Sequence, residues 1–258
     1  LLAQAIRVKG FSCSIIDCNA ENLNSFEVLD KINNLKPRLV CFVVYGQNVN
    51  SGTTNMSGAV SLADFIKKKN SNLVISFVGS HVQSLPIATL KKEKSIDFAF
   101  TNEGVYSLIN VLKLDELNKT KLSLVRGLAI NDEVKPFMTK AEIIVPQEKM
   151  DEDLPGYAWD LLPYKNRPFD LYRSPIWHAE YKEEYRTPYA ALQTSLGCRF
   201  GCSFCMINMI NRDNEDEVGV ASNFRNMRYW SPQFIIKEFD KLIEYGVSTI
   251  RITDEMFL

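Results

Sequence analysis

Between residues 11 and 114 the chain switches repeatedly between two periods, and no other feature limits its fold so much. Short β-rich runs, "FSCSIID" (11–17), "RLVCFVVY" (38–45), "NLVISFVG" (72–79) and "IDFAFT" (96–101), are separated by amphipathic stretches such as "FEVLDKINNLK" (26–36) and "AVSLADFIKKK" (59–69). Apolar residues two apart mark a strand, and apolar residues three and four apart mark one face of a helix. Parallel strands need a crossover between them, and an intervening helix supplies it while covering the sheet. The expected fold class is therefore α/β, with an open parallel sheet carrying helices on both faces.

The pattern changes after residue 114. "VRGLAINDEVKPF" (125–137) reads as a hairpin turning at Asn131-Asp132 and joining the sheet at an edge. The next stretch carries Pro146, Pro155, Pro163, Pro168 and Pro175 with Trp159, Trp177 and several tyrosines. Prolines at this density stop regular elements, so it reads as a linker whose aromatics pack on something. Beyond it, "YAALQTSLG" (189–197) reads as a strand. "SPQFIIKEFDKLIEYG" (231–246) follows as a helix with Ser231 as N-cap and Pro232 in its first position, and "STIRITDE" (248–255) as a second strand. The expected domains are 1–140, 141–188 as linker, and 189–258 as the start of a second parallel β/α unit. A chain that opens in a helix and stops just after a strand also reads as a fragment at both ends, with a strand missing before Leu1.

Bulk properties exclude several classes. The 258 residues hold 46% hydrophobic and 24% charged side chains, which is ordinary globular composition. Lys plus Arg number 30 against 31 acidic residues, so no general field draws the chain to nucleic acid or anionic lipid. No stretch approaches the roughly 18 apolar residues of a membrane span, and the N-terminus lacks the pattern of a signal peptide. A cytoplasmic location follows as the expectation. There, clustered cysteines point to metal or redox chemistry more than to disulfides.

Of the six cysteines, Cys198, Cys202 and Cys205 fall within "SLGCRFGCSFC" (195–205). Structural zinc takes four ligands, and no Cys or His follows Cys205 in the chain. Three thiolates on a four-iron, four-sulfur (4Fe-4S) cluster leave one iron open to a substrate or cofactor, where an electron-transfer cluster normally has four protein ligands. The run Cys198-Arg-Phe-Gly-Cys202-Ser-Phe-Cys205 after a strand resembles the signature of the radical S-adenosylmethionine superfamily, with Phe204 as its aromatic. The resemblance implies the start of a partial (β/α) barrel, a cluster held by Cys198, Cys202 and Cys205, and S-adenosylmethionine bound at its open iron. "TDEMF" (253–257) resembles the family's acidic motif, so Thr253, Asp254 and Glu255 inherit contacts to the methionine amino group, Glu255 foremost.

A Rossmann-like open sheet ahead of such a barrel, joined by "DLPGYAWDLLP" (153–163), resembles the cobalamin-binding radical subfamily. The resemblance places a corrin over the carboxyl ends of the strands, beside "GQNVNSGTTN" (46–55), "GSHVQS" (79–84) and "NEGV" (102–105). Gly46, Ser51, Thr53, Gly79, Ser80 and Gly104 are the candidate cobalamin contacts, because small residues let backbone approach a flat ring. His81 has Gly79 rather than Asp two residues before it, so it is not expected as a lower ligand. The implied activity is radical-initiated, cobalamin-dependent methyl transfer to a small-molecule substrate, or its rearrangement, fed by an external flavodoxin- or ferredoxin-like one-electron reductant. Alternatives are a radical enzyme without cobalamin and a zinc-stabilised binding module that is not an enzyme. Cys13, Cys18 and Cys41 read as buried packing thiols.

Overall fold

The computed structural model describes residues 1–45, 52–165, 188–207 and 227–256. Gly46, Ser51 and the part of the linker with Pro168, Pro175 and Trp177 lie outside the described residues. The chain divides into two compact units, one of Leu1–Asn24, Gln147–Gly197 and Met227–Leu258, the other of Ser25–Pro146 and Cys198–Asn226.

The second of these is a mixed α/β unit around a five-stranded sheet of order β1-β2-β3-β4-β5. Its strands are β1 (Val40–Val43), β2 (Ile75–Val78), β3 (Phe98–Phe100), β4 (Leu128–Ile130) and β5 (Phe137–Met138). The first three are parallel, with Val40 opposite Ile75 and Ser76 opposite Phe98. Helix α2 (Ser25–Leu35) precedes β1, α3 (Gly52–Lys69) connects β1 to β2, and α4 (Ser80–Ser84) with α5 (Pro86–Lys92) connects β2 to β3. The parallel-rich sheet with helical crossovers is compatible with a Rossmann-like fold. β2 and β3 are buried at every position, which is why their runs read as continuously apolar. Phe42 stacks on Phe77 at 4.7 Å between ring centres, and Phe98 meets Phe100 edge-on at 5.5 Å. Asp97 accepts from the Ile75 amide at 2.6 Å and pairs with Lys67, tying the α3 crossover to the start of β3.

The expected hairpin forms as an antiparallel edge, β4 beside β3 and β5 beside β4. Its connection runs from 131 to 136, longer than a tight turn at Asn131-Asp132, because Asn131 is used elsewhere: its side chain donates to the Ile96 carbonyl. Helix α6 (Val105–Leu112) follows β3, and a short helical turn α7 (Lys119–Leu122) is capped by Asn118, whose side chain accepts from the Lys121 amide.

"FSCSIID" departs from expectation. Residues 11–17 form no strand, since alternation makes a strand only where a neighbour supplies the ladder, and no strand among the described residues pairs with them. Helix α1 (Leu2–Arg7) and these residues group with the C-terminal parts of the chain.

In that unit, β6 (Tyr189–Leu192) lies parallel to β9 (Thr249–Ile252), with α9 (Pro232–Glu244) between them in sequence. Ser231 caps α9 by accepting from the Phe234 amide, and Pro232 opens it, as expected. The single strand expected over 189–197 is broken at Gln193. β7 (Ser195–Gly197) turns away and pairs antiparallel with β8 (Met227–Tyr229). The described residues of this unit thus form two two-stranded sheets and no barrel.

The proline-rich segment does pack. Trp159 and Tyr164 are buried in one cluster with Ala190, Leu192, Leu242 and Val247. A short helix α8 (Met150–Asp153) precedes them. At its heart is Glu238 of α9, only 1% exposed, which accepts from Trp159 Nε1 at 2.9 Å and from the Tyr157 amide at 3.2 Å and pairs with Lys241. Gly156 turns at φ +84°, and a Cβ there would lie 2.5 Å from a Glu238 oxygen, so this turn needs glycine.

Candidate functional site

The densest polar cluster in the first unit gathers where β6 and β9 end together. Leu192 is opposite Ile252, and the ladder runs one step further as the Thr253 amide donates to the Leu192 carbonyl at 2.9 Å. Past that point the ladder between β6 and β9 ends, and side chains take over. Asp254 accepts from the Thr194 amide at 2.6 Å, the Thr194 hydroxyl at 2.6 Å and the Ser195 hydroxyl at 2.9 Å. These bonds hold the kink between β6 and β7 against β9 and occupy both of its oxygens. Glu255 accepts from Gln193 Nε2 at 3.0 Å. Although exposed as a whole residue, it has a carboxyl held above the usual range, first by the protein packed around it and then by the negative charge of Asp254. The Tyr157 hydroxyl accepts from the Gln193 amide at 3.0 Å, and burial pushes its own ionisation well above the ordinary tyrosine value.

The three expected ligand-contacting residues Thr253, Asp254 and Glu255 therefore sit together, but differently employed: Asp254 takes three donors from Thr194 and Ser195, and Glu255, on a residue exposed to solvent, takes one side-chain donor, from Gln193. Gln193, Thr194, Ser195 and Tyr157 went unnoticed in the sequence. Their only signal was position, just after one strand or in the linker.

In the other unit the sequence candidates lie at the carboxyl ends of β1 to β3, where open parallel sheets bind ligands. The conformations of these residues answer mainly to the chain's own packing. Gly79 has φ +146°, and a Cβ on it would lie 2.0 Å from the Val44 carbonyl oxygen. Gly104, at φ +83°, lies against the Phe100 ring. Ser80 is buried, and its Oγ occupies the place that a Cβ on Gly52 would need. The smallness expected to cradle a corrin is thus used up by backbone and ring contacts within the unit. Thr53 stands inside α3, with its hydroxyl 2.9 Å from Nδ1 of His81. Burial, and then the charge of Lys92, hold the His81 imidazole below its usual pKa.

Two buried amides beside these residues were missed. Gln83 donates to the Asn102 carbonyl and, at 3.2 Å, to the Tyr45 hydroxyl. Asn102 accepts from the Gly104 amide at 3.0 Å and donates to the Glu142 carbonyl at 2.7 Å. A cleft of about 620 Å³, lined among others by Thr53, Met56, Asp64, His81 and Leu85, opens between α3 and α4–α5. That is within the range of small-molecule sites.

The cysteine loop belongs by its contacts to this second unit, together with the highly exposed Phe204. Cys198 is buried, with the Phe200 amide 3.5 Å from its sulfur, whereas Cys202 faces solvent and Cys205 is half-buried. The Cys205 amide closes a turn on the Cys202 carbonyl. Among the described residues, which include all three, no three Cys, His, Asp or Glu side chains are grouped to hold a metal ion. The thiols range from buried to exposed, and among the described residues they are not drawn together into a cluster or zinc site. Cys13 and Cys41 are half-buried rather than enclosed, though burial still pushes the Cys41 thiol up to about 11. No helix of the described residues is long and apolar enough to cross a membrane.

No family model matches the chain. Over 245 residues, 94% of its length, it is 25% identical to a protein of Pyrococcus horikoshii named uncharacterized methyltransferase PH0819. The chain spans less than half of that relative, 45% of its length.

The arrangement of the cysteines and this relative together correct the functional expectation. A 4Fe-4S cluster on Cys198, Cys202 and Cys205, reductive cleavage of S-adenosylmethionine, the reductant that would drive it and cobalamin-dependent transfer find no support. The relative's name speaks of methyl transfer as such.

Proposed function

We propose that this chain is part of a methyltransferase that takes its methyl group from S-adenosylmethionine and acts on a small molecule. The observation that carries the reading is the alignment across nearly the whole chain with a protein named a methyltransferase. When bound, S-adenosylmethionine supplies a methyl group on a positively charged sulfur, ready for displacement by an electron pair of the substrate. The chain's share is to bind and orient it, and that calls for an acceptor for the methionyl ammonium.

Glu255 is the candidate. It is an exposed residue just past the end of a parallel strand, its carboxylate oriented by a neighbouring amide, whereas Asp254 is engaged by three donors of the chain itself. Thr253 sits beside it with its amide still in the ladder.

Calorimetric titration with S-adenosylmethionine tests the reading. The wild-type chain is expected to bind, and Glu255→Gln, which keeps shape but removes charge, to bind roughly ten- to hundredfold more weakly, the range for a hydrogen bond to a charged group. A wild-type chain that does not bind, or a variant that binds as well, would overturn it.

A further inference from the structure

We infer that Gln193 is a positioning residue, whose side-chain amide sets the Glu255 carboxylate in place for a cationic ligand group; this rests on the function proposed above. Gln193 is the first residue beyond the β6 ladder, opposite the acidic end of β9. Three bonds define its place. Its amide N–H is held by the Tyr157 hydroxyl at 3.0 Å, and Tyr157 is stacked on Trp159 at 4.7 Å between ring centres. Trp159 is in turn bonded to the buried Glu238. The Gln193 backbone is thereby fixed by the unit's core, while its side chain reaches 3.0 Å to Glu255 Oε1.

An ionised carboxylate can only accept, so the amide nitrogen must face it. A rigid donor at that oxygen removes rotamer freedom from a long, exposed side chain, which otherwise would be lost on binding. It also favours the ionised form that an ammonium needs.

The groups that bear on the Glu255 charge are few. Protein packing and Asp254 raise its pKa, while Gln193, its own amide and the Gly197 amide lower it. Removing Gln193 takes away one of the stabilising groups. Binding of an ammonium is lost as pH falls through the Glu255 pKa, so in Gln193→Ala that loss is expected at higher pH than in wild type. A residue that merely held the fold together would not move this midpoint.

Calorimetric titration is run with wild type, Gln193→Ala and Glu255→Gln across acidic to neutral pH. The probes are S-adenosylmethionine and 5′-methylthioadenosine, which lacks the ammonium. At neutral pH Gln193→Ala is expected to weaken S-adenosylmethionine binding about two- to tenfold, the worth of one hydrogen bond. Methylthioadenosine binding should be unchanged. Equal weakening of both probes, or an unmoved pH midpoint with full affinity, overturns the inference while leaving the Glu255 site standing. Unaltered binding in Glu255→Gln overturns the site itself, and the inference with it.

Discussion

Glu238→Ala is expected to destabilise the unit containing α9 by about 2–5 kcal/mol. Glu238 is 1% exposed and serves two donors, the buried Trp159 indole and the partly buried Tyr157 amide. Trp159 is itself only 4% exposed, so its indole N–H would be left buried and unpaired, at about 1–3 kcal/mol. The Tyr157 amide is only partly buried, so the loss of its acceptor adds a smaller amount. Lys241 has a side chain nearly half exposed, so its ammonium regains solvent and contributes little. Glu238→Gln keeps one acceptor oxygen for the two donors and is expected to cost about half as much. All three tryptophans fall within the residue ranges of this unit, Trp159 and Trp230 among its described residues, so urea denaturation followed by tryptophan fluorescence reads it directly. A loss below about 1 kcal/mol in the alanine variant, or equal losses in the two variants, would refute the claim that the buried carboxylate organises this core.

Other outcomes follow from the same geometry. Gly79→Ala should unfold the sheet unit or leave it insoluble, because the added carbon meets the Val44 carbonyl at 2.0 Å at a φ that side chains rarely adopt; circular dichroism and solubility of the variant check this. The Cys41 thiol has its pKa raised from 9.0 to about 11, so the stabilisation it carries is complete below pH 9 and is lost as pH rises toward 11. Denaturation midpoints of wild type and Cys41→Ala, compared across that window, should converge as pH increases. Timed alkylation at pH 8 with mass spectrometry should label the exposed Cys202 well before Cys41.

What the sequence determined by itself was the class of the fold and the order of its parts. Continuous apolar runs such as "NLVISFVG" and the lysine-tipped helix ending at Lys69 could only build a parallel sheet with crossovers, because the periods are properties of the local chain. The cap at Ser231-Pro232 and the edge hairpin at 128–138 were legible for the same reason. The packing of the proline-rich segment was legible in part, since Trp159 and Tyr164 had to be buried somewhere. Where "FSCSIID" would go was not legible, because an extended run becomes a strand only when another strand lies beside it. Nor was the break of the 189–197 strand at Gln193, which Asp254 holds from 60 residues away. The cysteine spacing invited a metal centre, but spacing says nothing of side-chain direction. The turn between Cys202 and Cys205 and the inward rotation of Cys198 are tertiary facts. The same holds for the acidic end of β9. The motif resemblance put Glu255 before Asp254, but the donors that make Asp254 a clamp, Thr194 and Ser195, and the one that orients the exposed Glu255, Gln193, come only from the tertiary structure.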